Sequence, residues 1–144
     1  MTPSAGAGAY TRVQFLDGAI DDLRVLKTRS PAALTAVLAK LKELDAGSVT
    51  PVPLRHFGKT GDLTDCGKIV VHVDDGTTYR IVVRNVDGTP EVYEVVVVEN
   101  READLPHLLA AIRLKRLEED PVRRADATKR IWRIRKGLEP ATDP

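Results

Sequence analysis

The chain has 144 residues, 42% of them hydrophobic and 30% charged, with a formal net charge of +1. That is one domain's length and an ordinary globular composition, and no apolar run approaches the roughly 20 residues of a membrane span. Cys66 is the single cysteine, which excludes an internal disulfide and a thiolate metal cluster. The opening MTPSAGAGAY has neither the basic nor the apolar region of a signal peptide, so a cytoplasmic protein is the expectation.

In chain order, residues 1–9 are small and are expected to be a flexible N-terminus. YTRVQF then alternates Thr11, Val13 and Phe15 against Arg12 and Gln14, the pattern of a short half-buried strand. DGAIDDLRVLK places Ala19, Ile20, Leu23 and Leu26 at helical spacing. The clearest helix follows over 31–45: Ser30 suits its N-cap, Pro31 its first position, and Leu34, Val37, Leu38, Leu41 and Leu44 form an apolar stripe that stops at Gly47. Residues 48–66, with Pro51, Pro53, Gly58 and Gly61, read as loop. Three strands are predicted at about 67–73, 78–85 and 91–98, separated by the hairpin signals Asp75-Gly76 and Asp87-Gly88. Helical period returns at 105–117, and a basic helical tail spans 121–138.

This order predicts an α+β fold: a small antiparallel sheet of about four strands, two N-terminal helices on one face, and a C-terminal helix beyond. Residues 10–120 make the body and 121–144 the tail. Alternation points Ile69, Val71, Val73, Tyr79, Ile81, Val83, Tyr93, Val95 and Val97 at the helices. It leaves Lys68, Val70, His72, Arg80, Val82 and Arg84 on an uncovered face. The charge is uneven as well. Residues 121–144 hold seven Lys or Arg against three acids, a net of +4; residues 1–120 hold 15 against 18, a net of −3.

The ordered series YTRVQFLDGAIDDLRVL, GDLTDCGKI, YRIVVR, EVYEVVVVENRE and HLLAAIRLKRL, over roughly residues 10–117, resembles the RelE/ParE superfamily of toxins from type II toxin–antitoxin systems. The resemblance implies a RelE-like fold and a ribosome-dependent, metal-independent mRNA endoribonuclease. Such an enzyme enters the ribosome, cuts mRNA by attack of a ribose 2′-OH on the adjacent phosphate, and so inhibits translation and arrests growth. It also implies a cognate antitoxin as protein partner. That chemistry needs a base, an acid and fixed positive charge for the phosphorane. Carried over residue by residue, Lys68 matches the lysine after the family's DC pair and Arg80 the arginine of its YR strand. Arg101 matches the arginine after the last strand, and His107 falls in the place of a C-terminal proton-transfer residue. His72 and Arg84 are expected to bind substrate. Val70 stands where the family often has a second lysine, and Glu99 and Asn100 stand where it has glycine and lysine.

No cofactor or metal is expected: His56, His72 and His107 lack paired ligand spacing. Bland readings stand beside the sharp ones: His72 and His107 suit structural or merely exposed histidines, and the basic tail suits a solvated helix face as well as a contact with RNA or an acidic partner. Lys68, Arg80 and Arg84 suit the solvated face of an antiparallel sheet. Arg101 suits a surface ion pair, and Trp132 serves equally as a stacking platform or a buried anchor. A ParE-like gyrase-poisoning toxin and a non-catalytic protein-binding module are the alternative functions.

Overall fold

A computed structural model describes residues 10–54, 62–86, 89–100 and 105–136. The chain is α+β, with the elements β1 (Val13–Phe15), α1 (Asp17–Arg29), α2 (Pro31–Asp45), β2 (Val52–Pro53), β3 (Cys66–His72), β4 (Thr78–Val86), β5 (Thr89–Asn100), α3 (Leu105–Arg113) and α4 (Pro121–Arg135). The strands form one sheet in the order β1-β5-β4-β3-β2. The sheet has five strands and is mixed: β1 runs parallel to β5, pairing Val13 with Tyr93 and Phe15 with Val95, and the other neighbours are antiparallel.

The extra strand is β2. The sequence reads as loop there because of Pro51 and Pro53, but two residues suffice for an edge pairing of Val52 with Lys68 and Pro53 with Gly67. A proline is tolerated at an edge, where its missing N–H leaves no central ladder bond unmade. The hairpin between β3 and β4 is the one expected from Asp75-Gly76. Gly76 takes φ +90°, and Asp75 Oδ1 accepts the Thr77 amide at 2.9 Å. The Asp87-Gly88 turn lies outside the described residues.

Ser30 caps α2 as its type predicts, its Oγ accepting the Ala33 amide at 3.2 Å, with Pro31 beginning the helix. The far end of α2 is tied to β1. The Asp45 carboxylate accepts the Thr11 and Arg12 amides at 3.0 and 2.5 Å, and the Asp45 carbonyl accepts from Arg12 Nε and Nη2. A guanidinium there also suits the negative end of the helix dipole.

Two apolar layers sandwich the sheet. On one face α1 and α2 bury Leu23, Leu26, Val37, Leu41 and Leu44 against Ile69, Val71, Ile81, Val83, Val95 and Val98. On the other, Leu105, Leu108, Leu109 and Ala111 of α3, with Ala127 and Ile134 of α4, close over Val82, Val96 and Val97. The sequence expectation of one uncovered face is therefore corrected. So is the side of Val97. A bulge places Val82 opposite Val97 but Val83 opposite Val95, so Val96 is an extra residue that reverses the alternation of β5 from there on.

Beyond β1, the β5 edge would leave ladder groups unmade. Asp22 of α1 and Arg113 of α3 take up that edge. Asp22 Oδ2 accepts the Val98 amide at 2.9 Å, and Arg113 Nη1 donates to the Val96 carbonyl at 2.9 Å. Arg113 also grips Asp22 through two bonds of 2.6 and 2.9 Å. Gly18 makes the room: a Cβ there would lie 2.6 Å from Arg113 Nε. Gly18→Ala is expected to lower stability by about 1–3 kcal/mol, as overpacking does. In urea denaturation most of that increment should vanish in an Arg113→Ala background, because the obstructing atoms are gone. An equal increment in both backgrounds would separate the glycine from the guanidinium.

Candidate functional site

The β3–β4 register carries the expected alternation. Val70 stands opposite Arg80, Lys68 opposite Val82, and Cys66 opposite Arg84. Lys68 and His72 therefore share a face with Arg80 and Arg84, turned away from α1 and α2. Lys68 and His72 flank Val70 and are diagonal neighbours of Arg80, roughly 7–8 Å away.

The four differ in access. His72, at the end of β3, is exposed, and Lys68 is half-buried. Arg84 is half-buried and donates from Nε to Glu94 Oε1 at 2.9 Å, so part of its charge is already answered by its ladder partner. Arg80 is interior, at 3% exposure. His107, in the first turns of α3, is likewise 3% exposed. Both were expected at an uncovered, phosphate-facing surface. The sheet face that carries Arg80 is covered, since the leucines of α3 find on Val82, Val96 and Val97 the surface they need to leave water. Arg101 and His56 lie outside the described residues.

The resemblance sets the negative charge of Glu99 beside the phosphate site, and the register agrees. In the ladder Glu99 stands directly opposite Arg80, and so on the face of the basic set. Uninterrupted alternation would have turned it toward α1 and α2; the bulge at Val96 brings it round. The valine run 95–98 gives no sign of where a bulge will fall. Glu99 is half-buried, and its carboxyl is pushed up to about 6. Burial is the main cause and the negative charge of Asp22 the second, while Arg135, Arg29 and Arg113 pull the other way. A carboxyl in that range takes and returns protons near neutrality.

Below this set, Arg116 Nη1 and Nη2 hold Asp65 at 2.9 and 2.7 Å, which keeps that carboxyl below its ordinary range and fastens the chain after α3 to the start of β3. The thiol of Cys66 is pushed up to about 12, first by burial and then by the adjacent Asp65 carboxylate, which favours the protonated thiol near neutral pH. Among the described residues no three His, Cys, Asp or Glu side chains come together as metal ligands, and no helix is long and apolar enough to cross a membrane.

In comparisons with known proteins, no family model, no curated protein and no solved structure matches the chain.

The Glu99 shift sets a pH dependence. The folded chain holds this proton more tightly than the unfolded chain, whose carboxyl has the ordinary value of 4.5. Between 4.5 and about 6 the native state therefore binds more protons, and stability falls as pH rises through that window. The loss is at most about 2 kcal/mol. Denaturant melts across this range should show the fall in the wild type and a flatter profile in Glu99→Gln. Parallel profiles for the two proteins would place the titration elsewhere.

Proposed function

We propose that this chain is a RelE-like toxin of a type II toxin–antitoxin pair: a metal-independent endoribonuclease that cuts translated mRNA on the ribosome and is neutralised by a cognate antitoxin. The observation that carries the reading is the register-locked block on β3, β4 and β5, with Lys68, His72, Arg80 and Arg84 on one face and Glu99 opposite Arg80.

The chemistry divides by access. Lys68 supplies fixed positive charge to the phosphorane. His72, which is exposed, and Glu99, with its carboxyl near 6, are the groups suited to move protons from the 2′-OH and to the departing 5′-oxygen. Arg80 and His107 support this surface from inside instead of meeting the phosphate. Arg84 binds substrate with only part of its charge, because Glu94 holds it.

A second reading is favoured by one observation. The two residues that the family resemblance would make catalytic, Arg80 and His107, are packed in the interior. A non-catalytic binding module with the same fold has that property.

The test is cleavage of mRNA on translating ribosomes by the purified chain, with the new ends mapped. The toxin reading expects a 5′-hydroxyl on one fragment and a 2′,3′-cyclic phosphate, or the 3′-monophosphate its hydrolysis gives, on the other. Lys68→Ala is expected to slow the reaction by roughly 10²–10³-fold with its unfolding midpoint unchanged. A wild-type chain that leaves mRNA intact yet copurifies with the product of the neighbouring gene decides for the binding module.

A further inference from the structure

Helix α4 carries six Lys or Arg from Arg123 to Arg135 against Asp126 alone, yet only Ala127 and Ile134 of its side chains are buried. It leans on α3 along a narrow apolar seam and leaves a groove of about 680 Å³ beside it. Its apolar lining is made by Ile112, Leu117, Pro121 and the indole of Trp132; its charged lining is Lys115, Arg124 and Lys129, with Glu118 the one acid, held by Arg124. Trp132 is 55% exposed. An indole that packs the core is not left in water to that degree. Lys115 and Lys129 make no ion pair among the described residues, whereas Arg124 is paired with Glu118.

The placement of Lys115 adds a second observation. The chain leaves α3 through a left-handed turn, with the Lys115 amide bonded to the Ile112 carbonyl and the Arg116 amide to the Ala111 carbonyl. The residue in the left-handed position of such a turn is usually glycine; here it is Lys115, at φ +58°. A side chain is held at an unfavourable backbone angle, and it is a cation at the rim of the groove.

An apolar floor, an open indole face and two lysines that make no ion pair among the described residues match a flat ring flanked by anions. That is a nucleotide in a single strand, whose bases stack on aromatic side chains while the phosphates meet lysine and arginine. An acidic peptide satisfies the rim but meets the indole with a ring only where it carries an aromatic side chain, whereas a nucleotide strand offers one at every step. We propose that the α3–α4 groove binds single-stranded RNA, with one base stacked on Trp132 and the neighbouring phosphates on Lys115 and Lys129. The choice of RNA rests on the function proposed above; the groove itself lies on the tail helix, apart from the sheet site.

Trp132 is the chain's single tryptophan, so its fluorescence reports this groove directly. Titration of the full chain with a short mixed-sequence single-stranded RNA is expected to quench that fluorescence to saturation, and a duplex of the same sequence to leave it nearly unchanged. Trp132→Ala should weaken binding of labelled RNA by roughly five- to a hundred-fold, the range for one lost base stack, with Trp132→Phe recovering part of it. Lys115→Gln and Lys129→Gln should each flatten the salt dependence of log K by about 0.7. Circular dichroism and melting establish that each variant is folded. RNA affinity unchanged in folded Trp132→Ala overturns the proposal, as does equal quenching by polyglutamate, which would make the groove a protein site. Cleavage by the wild type alongside unchanged RNA binding by Trp132→Ala rejects the groove and keeps the toxin. Quenching by RNA without any cleavage keeps the groove and rejects the toxin.

Discussion

The ion pair of Asp22 and Arg113 is the constraint on which the arrangement depends. Asp22 comes from the layer on one face of the sheet and Arg113 from the layer on the other. They meet at the β5 edge, where they satisfy the amide of Val98 and the carbonyl of Val96 that β1 is too short to reach. A buried charge deprived of its partner is destabilising by roughly 3–5 kcal/mol, so neither side chain leaves without disturbing the other. The pair thus does two things: it closes the edge, as a longer β1 would, and it fastens both helical layers to it. By holding α3 down it also sets the access of the candidate site, since α3 packs on the sheet face that carries Arg80.

The bulge at Val96 is the second organising feature. It supplies α3 with two adjacent valines, Val96 and Val97, in place of one, and this widens the apolar surface on a face otherwise rich in charge. The same reversal carries Glu99 across to stand opposite Arg80. One extra residue therefore produces both the second core and the acidic member of the site.

Much of the fold was legible in the sequence, because it is written in local signals. Ser30-Pro31 and the leucine stripe announce α2, Asp75-Gly76 announces the hairpin, and alternation from Ile69 to Val83 sorts the two faces of β3 and β4. What escaped is non-local. The pairing of Val52 and Pro53 depends on the neighbouring strand and not on their own propensity. The parallel partnership of β1 and β5 joins segments some 80 positions apart. The bulge is invisible in a run of four valines, each at home on either face. Of the site, Lys68, His72, Arg80 and Arg84 were placed on one face correctly, but their depth was not readable, because the helix spacing that identifies α3 does not say which sheet face it covers. Trp132 presented an open choice between anchor and platform; at 55% exposure it is no buried anchor.

The charge now has a spatial form. A mildly acidic body presents half-exposed Lys68 and Arg84 and exposed His72 at one side, while the cations of α4 gather on a helix only lightly seated on α3. Such a distribution suits long-range attraction by the tail and short-range chemistry at the sheet. The most direct measurement is an electron cryomicroscopy map of the full chain on a translating ribosome. The account predicts the chain seated where mRNA is decoded, with Lys68 and Glu99 facing the message backbone and α4 against RNA. A chain bound away from the message, or one that makes no ribosome complex at low salt, would contradict it.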